Sequence, residues 1–380
     1  MQLSIGCLVN ATILADRRCP THCRKRCGWA EFGHHTGPCA ASTTDDCATE
    51  SAFGTIIRMP SEFELIARYF TRPIRRGSVV QLGVGDDCAL IAPSPDQSLA
   101  ISSDMLVEGR HFLPGANPEW LGHKALAVNL SDLAAMGAQP LGFTLALALP
   151  CADESWLAAF ARGLFALADQ EQIELIGGDT TRGPLNICIT VFGRVPIDQA
   201  LRRDGARAND DIWVSGSLGD ARLGLQVLTQ NLGLAPHHSD IALQRLHCPT
   251  PRVALGLALR GVASAAIDIS DGLSGDLNHV LQRSAVGATI QAALLPLSTA
   301  LQSQDQATQY AYALHGGDDY ELCFCAPPAQ RENVMAAAAA TGVAVTRIGQ
   351  IEAAPGLRII DAVGNPLALH ARSFDHFATP

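Results

Sequence analysis

Aspartate stands beside glycine or serine again and again in this chain: Gly85-Asp86-Asp87, Ser102-Ser103-Asp104, Ser131-Asp132, Gly177-Gly178-Asp179, Gly219-Asp220, Asp268-Ile269-Ser270-Asp271-Gly272, Gly275-Asp276 and Gly316-Gly317-Asp318-Asp319. One such pair is ordinary turn chemistry, since Asp bonds nearby backbone N–H groups and Gly tolerates positive φ. Their recurrence at the ends of expected elements points instead to carboxylates gathered around a cleft. Such a set repels itself and rises in pKa unless cations neutralise it, and hard oxygen donors suit Mg²⁺ rather than zinc. Mg²⁺ in turn implies phosphate.

The familiar phosphate-binding devices are absent. No Gly-Lys dipeptide occurs, which excludes a P-loop, and Gly83-Val84-Gly85-Asp86-Asp87-Cys88 lacks the third glycine of a dinucleotide fingerprint. Asp268-Ile269-Ser270-Asp271-Gly272 places glycine where an EF-hand needs an oxygen ligand. Several Mg²⁺ ions held by carboxylates remain as the way to hold a triphosphate without lysine. Asn129 and Asp132, three apart on an expected helix, share a face that must look into the cleft, because burying Asp132 without a cation would cost several kcal/mol.

These residues need elements to position them, and the chain of 380 residues is rich enough in apolar residues (48%) to build two domains. Only 5% is aromatic, so the core must be aliphatic and alanine-rich. Acidic residues number 37 against 27 basic ones, which argues against a non-specific nucleic-acid binder. The longest strongly apolar piece, Leu141–Pro150, is far below the roughly 18 residues of a spanning helix, so no membrane partner is expected.

Six cysteines lie in the first 58 residues and six are spread over the rest, as reduced core cysteines of a cytoplasmic protein would be. The cysteine-rich start, with its Cys19, Cys23, Cys27 spacing, lacks zinc knuckles, and the apolar run Leu3–Ala15 lacks the basic segment of a signal peptide. Residues 1–58 are therefore expected to be an unstructured leader or a mis-assigned start, with Met59 the natural beginning.

Periodicity from there on is clear. Ser61 and Glu64 form a capping box for a helix through Phe63, Ile66, Ala67 and Phe70. Asn117-Pro118 opens a helix ending near Gly137, and another spans Asp153–Gln172. Strands are expected at 79–84, 99–102, 141–149, 173–176 and 187–195, and the turn Arg202–Arg207 separates these from a second set. That set has strands at 212–215, 263–269, 288–292, 320–325, 343–351 and 357–360. Helices begin at Asp220 and near Pro251, another runs through Leu273, Leu277 and Leu281, and a fourth follows Pro327-Pro328. The fold class is α/β (α+β), with domains at 59–198 and 199–380.

Several of these stretches together resemble the thiamine-monophosphate kinase family. They are Glu62–Phe70, Gly85–Ala89, His111-Phe112-Leu113, Ala127–Ala138, Gly177–Gly183, Asp268–Leu273, Gly316–Leu322 and Asp375–Pro380, and the likeness covers residues 60–380 in order. The resemblance implies two mixed α/β domains of the aminoimidazole ribonucleotide synthetase-like fold, with N-terminal domains pairing in a homodimer. It implies ATP-dependent transfer of phosphate to thiamine monophosphate, with several Mg²⁺ ions as cofactor. It also implies Mg²⁺ ligation by Asp87, Ser103, Asp104, Asp132, Asp179, Asp268 and Asp271, with Asp86 and Ser102 adjacent. Nucleotide contacts would come from Gly178, Asp179, Arg203 and Ser270, and thiamine phosphate contacts from His111, Asp318 and Phe374. The family more often has Glu at the position of Asp318 and a hydroxyl-bearing aromatic at that of Phe374; charge and ring stacking are retained. No general base or nucleophile is implied, and no Ser-His-Asp or Cys-His set is present.

Alternatives on the same fold are a selenophosphate or aminoimidazole ribonucleotide synthetase and a hydrogenase-maturation carrier. The first places a reactive Cys by an early Lys, whereas Lys25 lies outside the matched region, and the carrier ends in a cysteine, whereas none follows Cys325 here.

Overall fold

A helix that is apolar around most of its circumference must be buried on most of its circumference. Residues Pro118–Ala135 form such a helix in the computed structural model, with thirteen of its residues buried, and the two halves of the chain assemble against it. The structure describes residues 62–84, 88–92, 94–230 and 232–367. The leader, the Ser61 cap, Asp86, Asp87 and Phe374 lie outside them.

In chain order the elements are α1 (Glu62–Tyr69), β1 (Val80–Leu82), β2 (Leu90–Ile91), β3 (Gln97–Val107), α2 (Pro118–Ala135), β4 (Gln139–Leu149), α3 (Glu154–Gln170), β5 (Glu174–Arg182) and β6 (Asn186–Pro196). There follow β7 (Asp211–Ser215), α4 (Asp220–Gln230), α5 (Pro236–His247), α6 (Val253–Ala258), β8 (Ala265–Asp268), α7 (Leu273–Ser284), β9 (Gly287–Gln291), α8 (Thr299–Gln302) and α9 (Gln306–His315). The chain closes with β10 (Leu322–Ala326), α10 (Arg331–Thr341), β11 (Val345–Glu352) and β12 (Gly356–Ile360). The first half builds a four-stranded sheet in the order β3-β6-β4-β5, antiparallel except for the parallel pair β4/β5. The second half builds a six-stranded sheet in the order β12-β9-β11-β7-β10-β8, parallel only at β12/β9. Both sheets are thus mixed.

Helix α2 packs on β3, β6 and β4 from one side, on α3 beside it, and on α6 and β8 of the second half. Its apolar residues and those of Trp213, Leu255, Leu259, Leu322 and Phe324 belong to one continuous core. A second core fills the other side of the six-stranded sheet around Ile212, Val214, Leu277 and Ile290.

Local chemistry sets the ends of these helices. Asn117 accepts the N–H of Glu119 at 2.9 Å ahead of Pro118, and Asp153 accepts the N–H groups of Ser155 and Trp156. The close approach of α2 to α3 depends on two glycines: a Cβ at Gly122 would meet the Phe160 carbonyl oxygen at 2.1 Å, and one at Gly163 the Glu119 carbonyl oxygen at 1.8 Å.

Three expectations need correction. Strand β5 runs through Gly177-Gly178-Asp179 rather than stopping before it, and Ser103-Asp104 and Asp132 lie within β3 and α2 rather than at element ends. Strand β4 is an inner strand whose Phe143, Leu145 and Leu147 point at the helices and whose other face carries the small residues Gly142, Thr144, Ala146 and Ala148; larger apolar side chains on the open face are Ile101 and Met105 of edge strand β3, 60% and 51% exposed. Helices α5, α8 and α9 were not legible in the sequence. Helix α5 has no side-chain N-cap and opens on Pro-His-His-Ser-Asp, and α9 carries its apolar residues among Gln and Thr.

Gly163→Ala is expected to lower stability by at least the ~1–3 kcal/mol typical of overpacking, because its new methyl group meets backbone rather than a yielding side chain. Urea unfolding measures this; an unchanged midpoint would refute the close-contact reading.

Candidate active site

Three walls meet where α2 passes between the sheets. The first is the inner face of β3, whose backbone N–H at Asp104 donates to Asn129 Oδ1 at 3.1 Å and whose Ser102 hydroxyl donates to Asp132. The second is α2 itself, where Asn129 also donates to the Ala125 carbonyl at 3.0 Å and the Ser131 hydroxyl donates to Asp268 Oδ2 at 2.8 Å. The third is the end of β8 and the loop after it, where the N–H groups of Ser270 and Asp271 both donate to Asp276 Oδ2 at 3.0 Å. Asp276, in the first turn of α7, shapes the Ser270–Gly272 loop from below. The sequence marked it only as another Gly-Asp pair.

The electrostatics follow from burial. Asp104 is pushed up to about 6 by burial first, then by the charge of Asp132, a hydrogen bond with it, and the charge of Asp271. Asp132 is raised by burial, an effect opposed by the Ser102 hydroxyl and the Arg203 guanidinium. Asp268 is raised by burial and then by Asp132, and Asp276 is pushed up to about 7 chiefly by burial. Arg203, on the wall of a cleft of about 580 Å³ with Ser102, Asp132, Arg202 and Arg283, is the cation that Asp132, Asp268 and Asp276 share.

The donors are hydroxyl and carboxylate oxygens whose mutual repulsion a cation would relieve, so the residues present fit Mg²⁺. Among the described residues no three His, Cys, Asp or Glu side chains enclose a metal position on their own.

The remaining expected residues fall elsewhere. Asp104 pairs across the sheet with Ile189, Ile189 with Leu145 and Leu145 with Gly178. Three interstrand steps of about 4.8 Å put Gly178 roughly 14 Å from Asp104. Asp179 shares its register row with exposed Ala146 and Met105, which places it on the outer face, away from α2. Ser103 is on the outer face too, its hydroxyl 2.9 Å from that of Thr190, so the serine that meets Asp132 is Ser102. Gly178 adopts φ +147, and a Cβ there would sit 1.9 Å from the Leu145 carbonyl oxygen. With Asp179, Cys88 and Phe192 it lines a separate cleft of about 810 Å³.

Beyond the carboxylates lies a narrow recess of about 90 Å³ lined by His111, Trp120, Lys124, His247 and Asp318 among others. His111 Nδ1 accepts the Val107 N–H at 3.0 Å, which leaves the proton of a neutral ring on Nε2. The Lys124 ammonium meets Asp318 Oδ2 at 3.0 Å, and Trp120 stacks on His247 with ring centroids 4.9 Å apart. Sequence reasoning found His111 and Asp318 and missed Lys124, Trp120 and His247. A lysine and a tryptophan on an apolar helix carry no spacing signal of their own, though the rarity of lysine in the chain could have marked Lys124.

Tyr320, partly buried against the core, joins the two regions. Its hydroxyl donates to Asp318 Oδ1 at 3.1 Å, and burial followed by the charges of Asp318, Asp104 and Asp268 raises its pKa well above the phenol value.

Residues 85–195 match the AIR synthase related protein N-terminal domain and residues 207–362 the AIR synthase related protein C-terminal domain. Two mixed sheets around a charged central helix therefore define a protein of the AIR synthase-related class. The thiamine-monophosphate kinase of Escherichia coli K12 is 49% identical over 322 residues, 84% of this chain and 99% of that one. The structure of thiamine-monophosphate kinase from Stenotrophomonas maltophilia K279a is 47% identical with a TM-score of 0.72, over 75% of this chain and 92% of that one. AaThiL complexed with AMPPCP and TMP is 31% identical with a TM-score of 0.67, over 75% and 89%. The chain belongs to the thiamine-monophosphate kinase family and is a phosphotransferase.

Asp104 and Asp276 keep their protons to about pH 6 and about pH 7, whereas an unfolded Asp releases its proton near about pH 4. Between those values the folded, cation-free protein binds more protons than the unfolded chain, so stability must fall as pH rises through this window. The melting temperature without divalent cations is expected to be higher at about pH 5 than at about pH 8, and Mg²⁺ should raise it more at the higher pH. A cation-free profile that climbs from acid to neutral would contradict the assigned shifts.

Proposed function

We propose that this chain transfers the γ-phosphoryl group of ATP to thiamine monophosphate, yielding thiamine diphosphate in one in-line displacement. The observation that carries the reading is the adjacency, through Tyr320, of the self-repelling carboxylates Asp104, Asp132 and Asp268 and the recess of His111 and Asp318. The names of the relatives and the AMPPCP and TMP bound by AaThiL support it.

In this reading residues 59–198 supply most of the metal-binding and dimer-forming domain and residues 199–380 the second domain. Gly178, Asp179, Arg203 and Ser270 meet the nucleotide, and His111, Asp318 and Phe374 the acceptor. Asp87, Ser103, Asp104, Asp132, Asp179, Asp268 and Asp271 hold Mg²⁺, with Ser102 assisting Asp132. Bound Mg²⁺ neutralises the polyphosphate and the charge that develops as the phosphoryl group moves.

The protein's own groups do the positioning. Arg203 draws the anionic chain into the cleft, Ser131 and Ser102 hold Asp268 and Asp132 in place, and the Nε2 side of His111 donates to the acceptor. The acceptor's phosphate has a second pKa near 6, so its oxygen is already ionised and needs no general base. Carboxylates committed to cations are poor nucleophiles, so no phosphorylated enzyme forms.

The outward position of Asp179 makes a second copy part of this reading. The open apolar face of the four-stranded sheet pairs with that of a partner, and Gly178 and Asp179 of one copy serve the carboxylates of the other. Asp132→Asn should lower kcat by orders of magnitude, while His111→Ala should chiefly raise KM for thiamine monophosphate. Mixing inactive Asp132→Asn and Asp179→Asn proteins should restore about a quarter of wild-type turnover, since half of the dimers then carry one intact site. No recovery, or a monomer in light scattering, argues for sites complete within one chain.

Transfer from ATP with a chiral γ-phosphate should invert configuration. Retention would replace direct transfer with a covalent intermediate.

A further inference from the structure

Lysine is rare in this protein: of 27 basic residues only Lys25 and Lys124 are not arginine. Lys124 is also 4% exposed, where lysine is almost never found without a partner. Its ion pair is with Asp318, and that pair crosses from α2 of the first half to the loop before β10 in the second. Both oxygens of Asp318 are engaged, one by Lys124 at 3.0 Å and the other by the Tyr320 hydroxyl at 3.1 Å, while its side chain keeps 36% of its surface open toward the recess.

The loop that carries Asp318 is held in an unfavourable backbone shape. Asp318 has φ +62 and Tyr320 φ +50, both in the left-handed region that non-glycine residues avoid. Two backbone bonds pin it: Asp318 N–H to the Ser270 carbonyl and Tyr320 N–H to the Ile269 carbonyl, each 2.8 Å. The carboxylate that results is aimed rather than merely present. An arginine in place of Lys124 would bring a planar fork of five donors into a buried space that offers one carboxylate oxygen, whereas a compact ammonium satisfies that oxygen alone.

We infer that Lys124 is a positioning residue for the acceptor: it fixes the Asp318 carboxylate, across the junction of the two halves, in the orientation that receives the acceptor's ring. This rests on the reading that the recess takes thiamine monophosphate. Lys124 acts through Asp318 and touches neither the nucleotide nor the reacting phosphates. The Ser270 loop itself is held by Asp276 and by backbone bonds, so the nucleotide side does not depend on this ion pair.

The test is a double-mutant cycle of Lys124→Met and Asp318→Asn, with KM for thiamine monophosphate and KM for ATP measured separately. Each single change should raise KM for thiamine monophosphate by about tenfold or more, leave KM for ATP within about threefold, and the double variant should be no worse than Asp318→Asn alone. Additive losses would show that Lys124 acts independently of Asp318, and an equal rise in both KM values would show a general structural role; either result overturns the inference.

Lys124→Gln, which keeps a donor without the charge, is read in the same way if the methionine variant does not fold, and failure of both to fold also assigns the lysine to structure alone. Wild-type protein that does not phosphorylate thiamine monophosphate overturns the acceptor assignment and this inference together. A normal wild-type KM with unaltered Lys124 variants overturns this inference alone.

Discussion

A charged stripe on a buried helix governs this structure. Helix α2 lies between two sheets, with apolar residues on nearly every side, yet it carries Lys124, Asn129, Ser131 and Asp132. A lone charge in such a place would cost more than a domain's net stability can absorb, so each of these groups has to find a partner on a different element. Lys124 finds Asp318, Asn129 the backbone of β3, Ser131 the carboxylate of Asp268 and Asp132 the hydroxyl of Ser102. The partners come from both halves of the chain. The polar groups of α2 therefore fix the relation of the halves as firmly as its leucines do, and the cleft is a consequence of that pairing.

The same arrangement leaves excess negative charge. Asp104, Asp132, Asp268 and Asp276 are all displaced toward the protonated form chiefly by burial, Asp104 and Asp268 further by the charge of Asp132, and Arg203 offsets the shift only in part at Asp132, Asp268 and Asp276. A protein optimised for stability alone would replace such a cluster with apolar residues. Keeping it makes sense where polyanions and their cations enter. Nearby, Glu321 shows the opposite solution, buried completely but held by Arg245, Arg252 and the Ser215 hydroxyl. One loop thus carries a fully compensated carboxylate, Glu321, and a partly open one, Asp318.

The four-stranded sheet separates two environments. Its inner face is the core and the carboxylate cleft; its outer face exposes Ile101 and Met105 beside Ser103 and Asp179. Alternation along a strand sends neighbouring residues to opposite faces, and this splits adjacent motif residues such as Ser102 and Ser103 between them. A motif that reads as one unit in sequence therefore serves two surfaces.

Sequence alone located the long elements, because α3 and β6 have strong apolar periodicity, α2 is a long run of mostly apolar residues, and α2 and α3 also have capped starts, which are local signals. It also marked most of the acidic positions, since Asp beside Gly or Ser is visible without a structure. The position of β4 inside the sheet and the short polar helices α8 and α9 were decided by tertiary packing. The face on which each carboxylate points was decided in the same way, because strand order and register are set by contacts between residues distant in the chain. Lys124 is the sharpest case: in sequence it is one lysine on an apolar helix, and only the fold brings Asp318, 194 residues away, to its ammonium.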